Sequence, residues 1–141
     1  VSWKPWSLFE TPIVYTAERP GDAPQPPPEF TDTVATRLGV EATLDIGPVT
    51  LEPRCGVAWE PTPSPPQTGY HNYLDNGRAV IGLGLGTRWQ FLSLDVAFQF
   101  HHLVPRTAMK DETTHEDHPG WPSIQHAGEI FYMGAELGVS L

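Results

Sequence analysis

No run of residues in this 141-residue chain approaches the ~20 consecutive apolar positions that a membrane-spanning helix requires, so membrane residence is open to it only as β-structure. Basic side chains are scarce as well. Eight Lys and Arg stand against 17 Asp and Glu, a formal net charge of −9, and they form no stripe that would neutralise phosphates, which excludes nucleic acid as a partner. Cysteine is reduced to Cys55, which has no second thiol to pair with and carries no information about redox compartment. The remaining composition is ordinary: 39% hydrophobic and 18% charged residues, over a length that suits one domain, residues 1–141.

What the chain has instead is alternation. From Glu129 to Leu141, Phe131, Met133, Ala135, Leu137, Val139 and Leu141 share one face of a strand, and Tyr132, Gly134, Glu136, Gly138 and Ser140 share the other. The same two-sided pattern recurs upstream. Thr31 to Leu44 sets Val34, Thr36, Leu38, Val40, Ala42 and Leu44 against Ala35, Arg37, Gly39, Glu41 and Thr43. A tight Asp45-Ile46-Gly47-Pro48 turn leads into Val49 to Glu60, where Val49, Leu51, Cys55, Val57 and Trp59 oppose Thr50, Glu52, Arg54, Gly56 and Ala58. Arg78 to Phe91 opposes Ala79, Ile81, Leu83, Leu85, Trp89 and Phe91 to Gly82, Gly84, Gly86, Arg88 and Gln90. From Leu92 to Leu103 the apolar set moves to even positions, which marks a tight hairpin between Phe91 and Leu92. A first strand over Val1 to Phe9, interrupted by Pro5 and continuing through Ile13 to Tyr15, completes six.

Between the strands, Arg19–Phe30 and Pro61–Asn76 are Pro-rich and read as loops, as does the polar, acidic stretch from Pro105 to His126. Connections therefore alternate long and short. Strands with one greasy face and one face of Gly, Ser and charge predict an all-β, antiparallel up-and-down transmembrane β-barrel wall, with long loops outside the cell and short turns in the periplasm. In that orientation Trp59, Phe100 and Phe131 fall near the outer boundary, and Trp89, Phe91 and Trp3 near the inner one. Val1 is preceded by neither an initiator Met nor a signal segment, so the barrel reading expects a processed chain or a piece of a longer one.

The order of these landmarks resembles the C-terminal portion of the FadL/TodX-type outer-membrane transporters, the long-chain fatty acid and aromatic hydrocarbon channels. The Ser2-Trp3-Lys4-Pro5-Trp6-Ser7-Leu8-Phe9 run is similar to that family's Trp-Ser-x-Phe strand, and Asp32-Thr33 with Leu38-Gly39-Val40 to its next one. Arg54-Cys55-Gly56-Val57-Ala58-Trp59-Glu60, followed by Pro61-Thr62-Pro63, resembles the family's Arg-x-Gly-hydrophobic-Ala-aromatic-acid segment and Pro-containing loop. Leu74-Asp75-Asn76-Gly77-Arg78, Leu92-Ser93-Leu94-Asp95-Val96 and Leu137-Gly138-Val139-Ser140 resemble later landmarks in the same order, so that the likeness covers nearly the whole chain. The resemblance implies a six-stranded fragment of a barrel of about fourteen strands, lacking the N-terminal hatch and the earlier strands. Six strands alone would leave unpaired amides in lipid at several kcal/mol each. It also implies residence in the cell outer membrane of a Gram-negative bacterium, among lipid and lipopolysaccharide, with insertion by the barrel-assembly machinery. The run stops at Leu141, about two residues short of the aromatic residue with which family members usually end.

Candidate chemistry sits on the polar rows. Gly82, Gly84 and Gly86 strip side chains from one stripe, which suits close approach of a plug, passage of a greasy ligand, or a strongly twisted strand. Arg37, Arg54 and Arg88 share the inward rows with Glu41, Glu52, Asp95 and Glu136, as a structural ion-pair ladder or with one Arg free to take a substrate carboxylate. The ligand-binding candidates are thus Arg37, Arg54, Gly82, Gly84, Gly86, Arg88 and Glu136. His115, Glu116, Asp117 and His118 lack the fixed helical spacing of a metal motif and read as a solvated acidic loop, so no metal or cofactor is expected. Ser93, Asp95 and His101 share a face but spread over roughly 26 Å at about 3.3 Å per residue, too far for a proton relay, and no enzyme is expected.

The function expected is passive uptake of hydrophobic small molecules, with Pro61, Pro63, Tyr70, Tyr73 and Trp121 as candidates for a greasy capture surface. The alternatives are an outer-membrane barrel acting as anchor or adhesin through its acidic loops, and a soluble β-sandwich, which would carry its Lys and Glu on a solvent face. All of this requires the Leu/Val/Phe rows to meet acyl chains rather than one another.

Overall fold

The computed structural model describes residues 1–9, 29–69, 72–110 and 120–140. Seven strands form one antiparallel sheet: β1 (Ser2–Lys4), β2 (Thr33–Glu41), β3 (Leu44–Ile46), β4 (Val49–Glu60), β5 (Arg78–Trp89), β6 (Leu92–Met109) and β7 (Ser123–Val139). Their order is β1-β2-β4-β5-β6-β7, and β3 pairs with β4 beyond the end of β2. With β2 and β3 counted as one, each strand pairs with the next in sequence, an up-and-down order in which short turns and long loops alternate. β1 and β7 are the two edges.

β2 and β3 are one strand with a gap. Glu41 pairs with Arg54 and Leu44 with Leu51 in continuous register, and the break between them lies opposite Pro53. Proline has no N–H to give the ladder, so only the Ala42 amide bonds there, to the Pro53 carbonyl at 3.1 Å. The six expected strands thus correspond to the six rungs of the sheet, with corrected limits. Asp45 and Ile46, expected in a turn, belong to β3, and the turn is Gly47-Pro48 with Gly47 at φ +61°. β5 ends at Trp89, and Phe91, expected in the strand, sits with Gln90 in the hairpin turn. The positive φ of Gln90, 53°, is what a two-residue hairpin demands at its first turn position. Val1–Phe9 forms strand only over Ser2–Lys4, because Pro5 ends it and Trp6–Leu8 closes a 3-10 turn. The expected continuation through Ile13 to Tyr15, most of the Arg19–Phe30 loop and Leu141 lie outside the described residues.

The largest departure is in the last hairpin. The expected loop from Pro105 to His126 is occupied at both ends by strand, since β6 continues to Met109 and β7 begins at Ser123. The register shifts between Leu103↔Gly128 and Arg106↔His126, so Val104 and Pro105 together oppose the single Ala127. That is a β-bulge, and it absorbs the proline that made the stretch look like a loop. It also reverses the side-chain parity of β6. Without it the even-numbered Arg106 would share a face with Leu94, Val96 and Phe98; with it, Arg106 shares the polar face with His126.

Elsewhere the pairing keeps one face mostly apolar and the other mostly polar, with His102 and Glu129 on the apolar side and Val80 and Ile130 on the polar one. One face carries the rows Leu38–Val57–Ile81–Phe100–Phe131, Val40–Cys55–Leu83–Phe98–Met133 and Leu44–Leu51–Thr87–Leu94–Leu137, ending at Ile46–Val49–Trp89–Leu92–Val139. These side chains stand open: Leu38 is 72% exposed, Leu83 54%, Leu137 71% and Met133 88%. Among the described residues the only buried hydrophobic side chains are Ala35 and Ala108, so the greasy rows do not stack on one another as a core. Trp3 differs from its expected position. It pairs with Val34, beyond the Trp59 row, and so stands at the long-loop end with Trp59, not at the short-turn end with Trp89, because β1 meets only the start of β2.

Candidate functional site

On the polar face the seven candidate residues separate into groups. Arg54 lies at the centre of one of them. Its Nε donates to Glu41 at 2.7 Å, Nη1 to Asp95 at 2.9 Å and Nη2 to Glu52 at 2.9 Å, and Arg88 also pairs with Glu52. The five residues come from β2, β4, β5 and β6, so the network stitches four strands together across the sheet.

Two of the three glycines make this possible. A Cβ at Gly86 would lie 2.9 Å from Asp95 Oδ1, 3.1 Å from Glu52 Oε2 and 3.3 Å from Arg54 Nη2, and one at Gly84 would meet the Arg54 side chain at 3.6 Å. The stripe at Gly84 and Gly86 is therefore filled by a guanidinium and its carboxylates. Gly82, one row higher, faces Gln99 at 3.9 Å and belongs to a barer patch with Gly39 and Gly56. Glu136 stands in register with Asp95, an adjacency of like charges, and makes no ion pair among the described residues. Arg37 is apart from all of these, paired with Glu60 at the long-loop end.

That end holds the site that alternation alone did not reveal. Glu60, 15% exposed, is held by Arg37 and by Arg78, whose Nη2 approaches it at 2.8 Å. Above them the Pro61–Asn76 loop folds back over the sheet. Its anchor is Arg106, whose Nη1 donates to the Ser64 carbonyl and the Asp75 carbonyl, each at 3.0 Å, and to the Thr62 hydroxyl at 3.3 Å. Asn76 adds a second tie, donating from Nδ2 to the Val104 carbonyl at 2.7 Å while its Oδ1 meets His126 Nδ1 at 2.8 Å. The bulge thus serves the loop: it exposes the Val104 carbonyl and turns Arg106 toward it.

Between this loop, β1 and the sheet lies a cleft of about 350 Å³. Lys4, Thr33, Ala35, Glu60 and Arg78 line it from the strands. Trp6, Phe30 and Tyr73 form its aromatic side, with Phe30 edge-on to Tyr73 at 5.2 Å and to Trp6 at 6.5 Å between ring centroids. Of the expected capture residues, Pro61, Pro63 and Tyr73 line the cleft, Trp121 does not, and Tyr70 lies outside the described residues. Lys4, Trp6 and Phe30 line the cleft as well, and the sequence signal for the first two is the Trp-x-x-Trp spacing around Lys4.

Ser93, Asp95 and His101 stay spread along β6, and His101 Nε2 meets Gln99 Oε1 at 3.2 Å instead of an acid. No group of three or more metal-ligating side chains occurs among the described residues, and His115 to His118 lie outside them. Comparison of the chain with family models, with curated proteins and with solved structures finds no match.

Proposed function

We propose that this chain is part of the wall of an outer-membrane β-barrel channel of the FadL/TodX type, through which hydrophobic small molecules enter by passive diffusion. The observation that carries the reading is an apolar face continuous across all six rungs and covered by nothing else among the described residues, backed by a face of glycine and paired charge. A water-facing sheet would not hold Leu38, Leu83, Met133 and Leu137 open on one side. A β-sandwich would need a second sheet on them.

The dimensions of the face support the same reading. Trp59 and Val49 bound the apolar part of β4 and are ten residues apart, about 34 Å of strand at roughly 3.4 Å per residue. At a tilt of about 40° that is a height of roughly 26 Å, against the ~25 Å apolar band of outer-membrane barrels. Aromatic residues mark both limits, Trp3 and Trp59 at one and Trp89 and Phe91 at the other. His102 and Glu129 face the apolar side together, 3.9 Å apart, in the Trp59 row, where headgroups would meet them.

Within such a barrel the Arg54 network is a strut of the inner wall, and the cleft at the long-loop end is a capture site. Uptake of labelled long-chain fatty acids and aromatic hydrocarbons by cells with and without the gene tests the reading. Deletion is expected to slow uptake of at least one class. Unchanged uptake of every hydrophobic compound refutes the channel and leaves a barrel that serves as anchor or adhesin.

A further inference from the structure

The last strand of the sheet is an edge built to be paired. β7 runs for 17 residues, Ser123–Val139, and only β6 borders it. Exposed edge strands are ordinarily kept from joining other strands by lysine, proline, a bulge or short length. β7 has no proline, lysine or arginine, and its register with β6 is unbroken from Gly128 to Val139. The Ser140 amide donates to the Phe91 carbonyl, so by the alternation of an antiparallel ladder the amides of Phe131, Met133, Ala135, Leu137 and Val139 point to the open side. The apolar side chains of β7 are also barer than their β6 partners: Met133 is 88% exposed beside Phe98 at 38%, and Leu137 71% beside Leu94 at 44%.

On the polar face the same edge interrupts an ion-pair network. From β2 to β6 its members are held, Arg54 by Glu41, Glu52 and Asp95, and Arg88 by Glu52. On β7 the next position in the row is Glu136, directly opposite Asp95, and it makes no ion pair among the described residues. Like charges directly opposite one another work against strand pairing. Two arginines, Arg54 and Arg88, thus face four carboxylates, Glu41, Glu52, Asp95 and Glu136. All three nitrogens of Arg54 are engaged, so a base that answers Glu136 has to come across the open edge. We propose that β7 pairs with a further antiparallel strand that carries an arginine or lysine opposite Glu136, so that the network continues across this seam. A second copy laid β7 against β7 cannot supply that residue, since β7 contains neither. The occupant is another strand of the barrel, and the inference rests on the barrel reading for its source.

The test joins carbodiimide labelling of carboxylates in the full-length protein in lipid nanodiscs, with glycine ethyl ester as the amine, to urea titration of two variants folding into vesicles. Glu136 should label no faster than the Arg54-bound Asp95, because a carboxylate held by a base is shielded from the reagent. Faster labelling of Glu136 overturns the proposal. Glu136→Gln should shift the folding equilibrium about fivefold or more toward the unfolded state, the loss of a charged hydrogen bond less the relief of repulsion from Asp95. Glu136→Lys should shift it further. Without a base at the seam the sign reverses, since either substitution removes a repulsion and Glu136→Lys adds an attraction to Asp95. A Glu136→Gln that is neutral or stabilising, or a Glu136→Lys more stable than Glu136→Gln, therefore also overturns the proposal. If a variant fails to insert, the labelling of the unaltered protein decides. Cell uptake reads the channel separately: slow labelling and a destabilising Glu136→Gln, in a protein whose deletion changes no uptake, keep the seam and lose the channel.

Discussion

The reading of the apolar face predicts a depth profile for charge. Arg at the midplane of a barrel wall costs about 2–4 kcal/mol, falling to about 0–1 kcal/mol near either interface. On β5 the girdle rows are those of Ala79 and Trp89, so Gly84 marks the midpoint and Leu83 lies one residue, about 3 Å, from it. Leu83→Arg should therefore shift the folding equilibrium by about 30-fold to nearly 1,000-fold, while Ala79→Arg, in the Trp59 row, shifts it less than about fivefold. Gly134→Arg is the control on the opposite face, where nothing lies within 4 Å of the Cβ position, and should cost little. Urea titration of the full-length protein folding into vesicles reads all three. If Leu83→Arg and Gly134→Arg agree within about 0.5 kcal/mol, as two water-exposed sites would, the apolar rows do not face lipid and the reasoning fails.

Gly86→Ala should lower the urea midpoint, because its methyl displaces Asp95, Glu52 and Arg54 at once, whereas Gly134→Ala, in open space, should leave it unchanged or raise it; the opposite ranking would deny the glycine stripe its role. Arg106→Gln should cost about 1.5–3 kcal/mol through the lost charged hydrogen bonds and speed proteolytic cleavage within residues 61–76, and an unchanged cleavage rate would mean the loop is held otherwise. Asp32, just before β2, has its pKa lowered from 3.8 by hydrogen bonds from the Ser7 hydroxyl and amide, the latter at 2.9 Å. A depressed carboxyl contributes stability that is complete above its unfolded pKa and lost as pH falls through the folded one, so acidification below 3.8 should lower the protection of the Ser7 amide relative to its intrinsic exchange rate, and Asp32→Asn should remove that loss of protection.

Much of this was readable from the chain alone, for a physical reason. Side chains alternate across a strand with a period of two, so the parity of Leu38, Val57, Leu83, Phe98 and Met133 assigned each to its face before any pairing was known. The short turns after Ile46 and Trp89 were legible because Gly-Pro and a parity switch each mark a reversal. What parity cannot report is a place where parity itself changes. The bulge at Val104 and Pro105 read as a loop, and it brings Arg106 to the face where it meets Thr62, Ser64 and Asp75 of the Pro61–Asn76 loop, 31 to 44 residues away in sequence. Alternation likewise placed Gly84, Gly86 and Arg54 on one surface but left open whether the glycines were a passage or a bed for the guanidinium, since that depends on how far an arginine reaches across its neighbours. The cleft around Lys4 needed more still. Its walls come from β1, the strand ends and a folded-back loop, segments that no local pattern relates, so only the assembled chain could set Lys4, Glu60 and Asp75 beside Trp6, Phe30 and Tyr73.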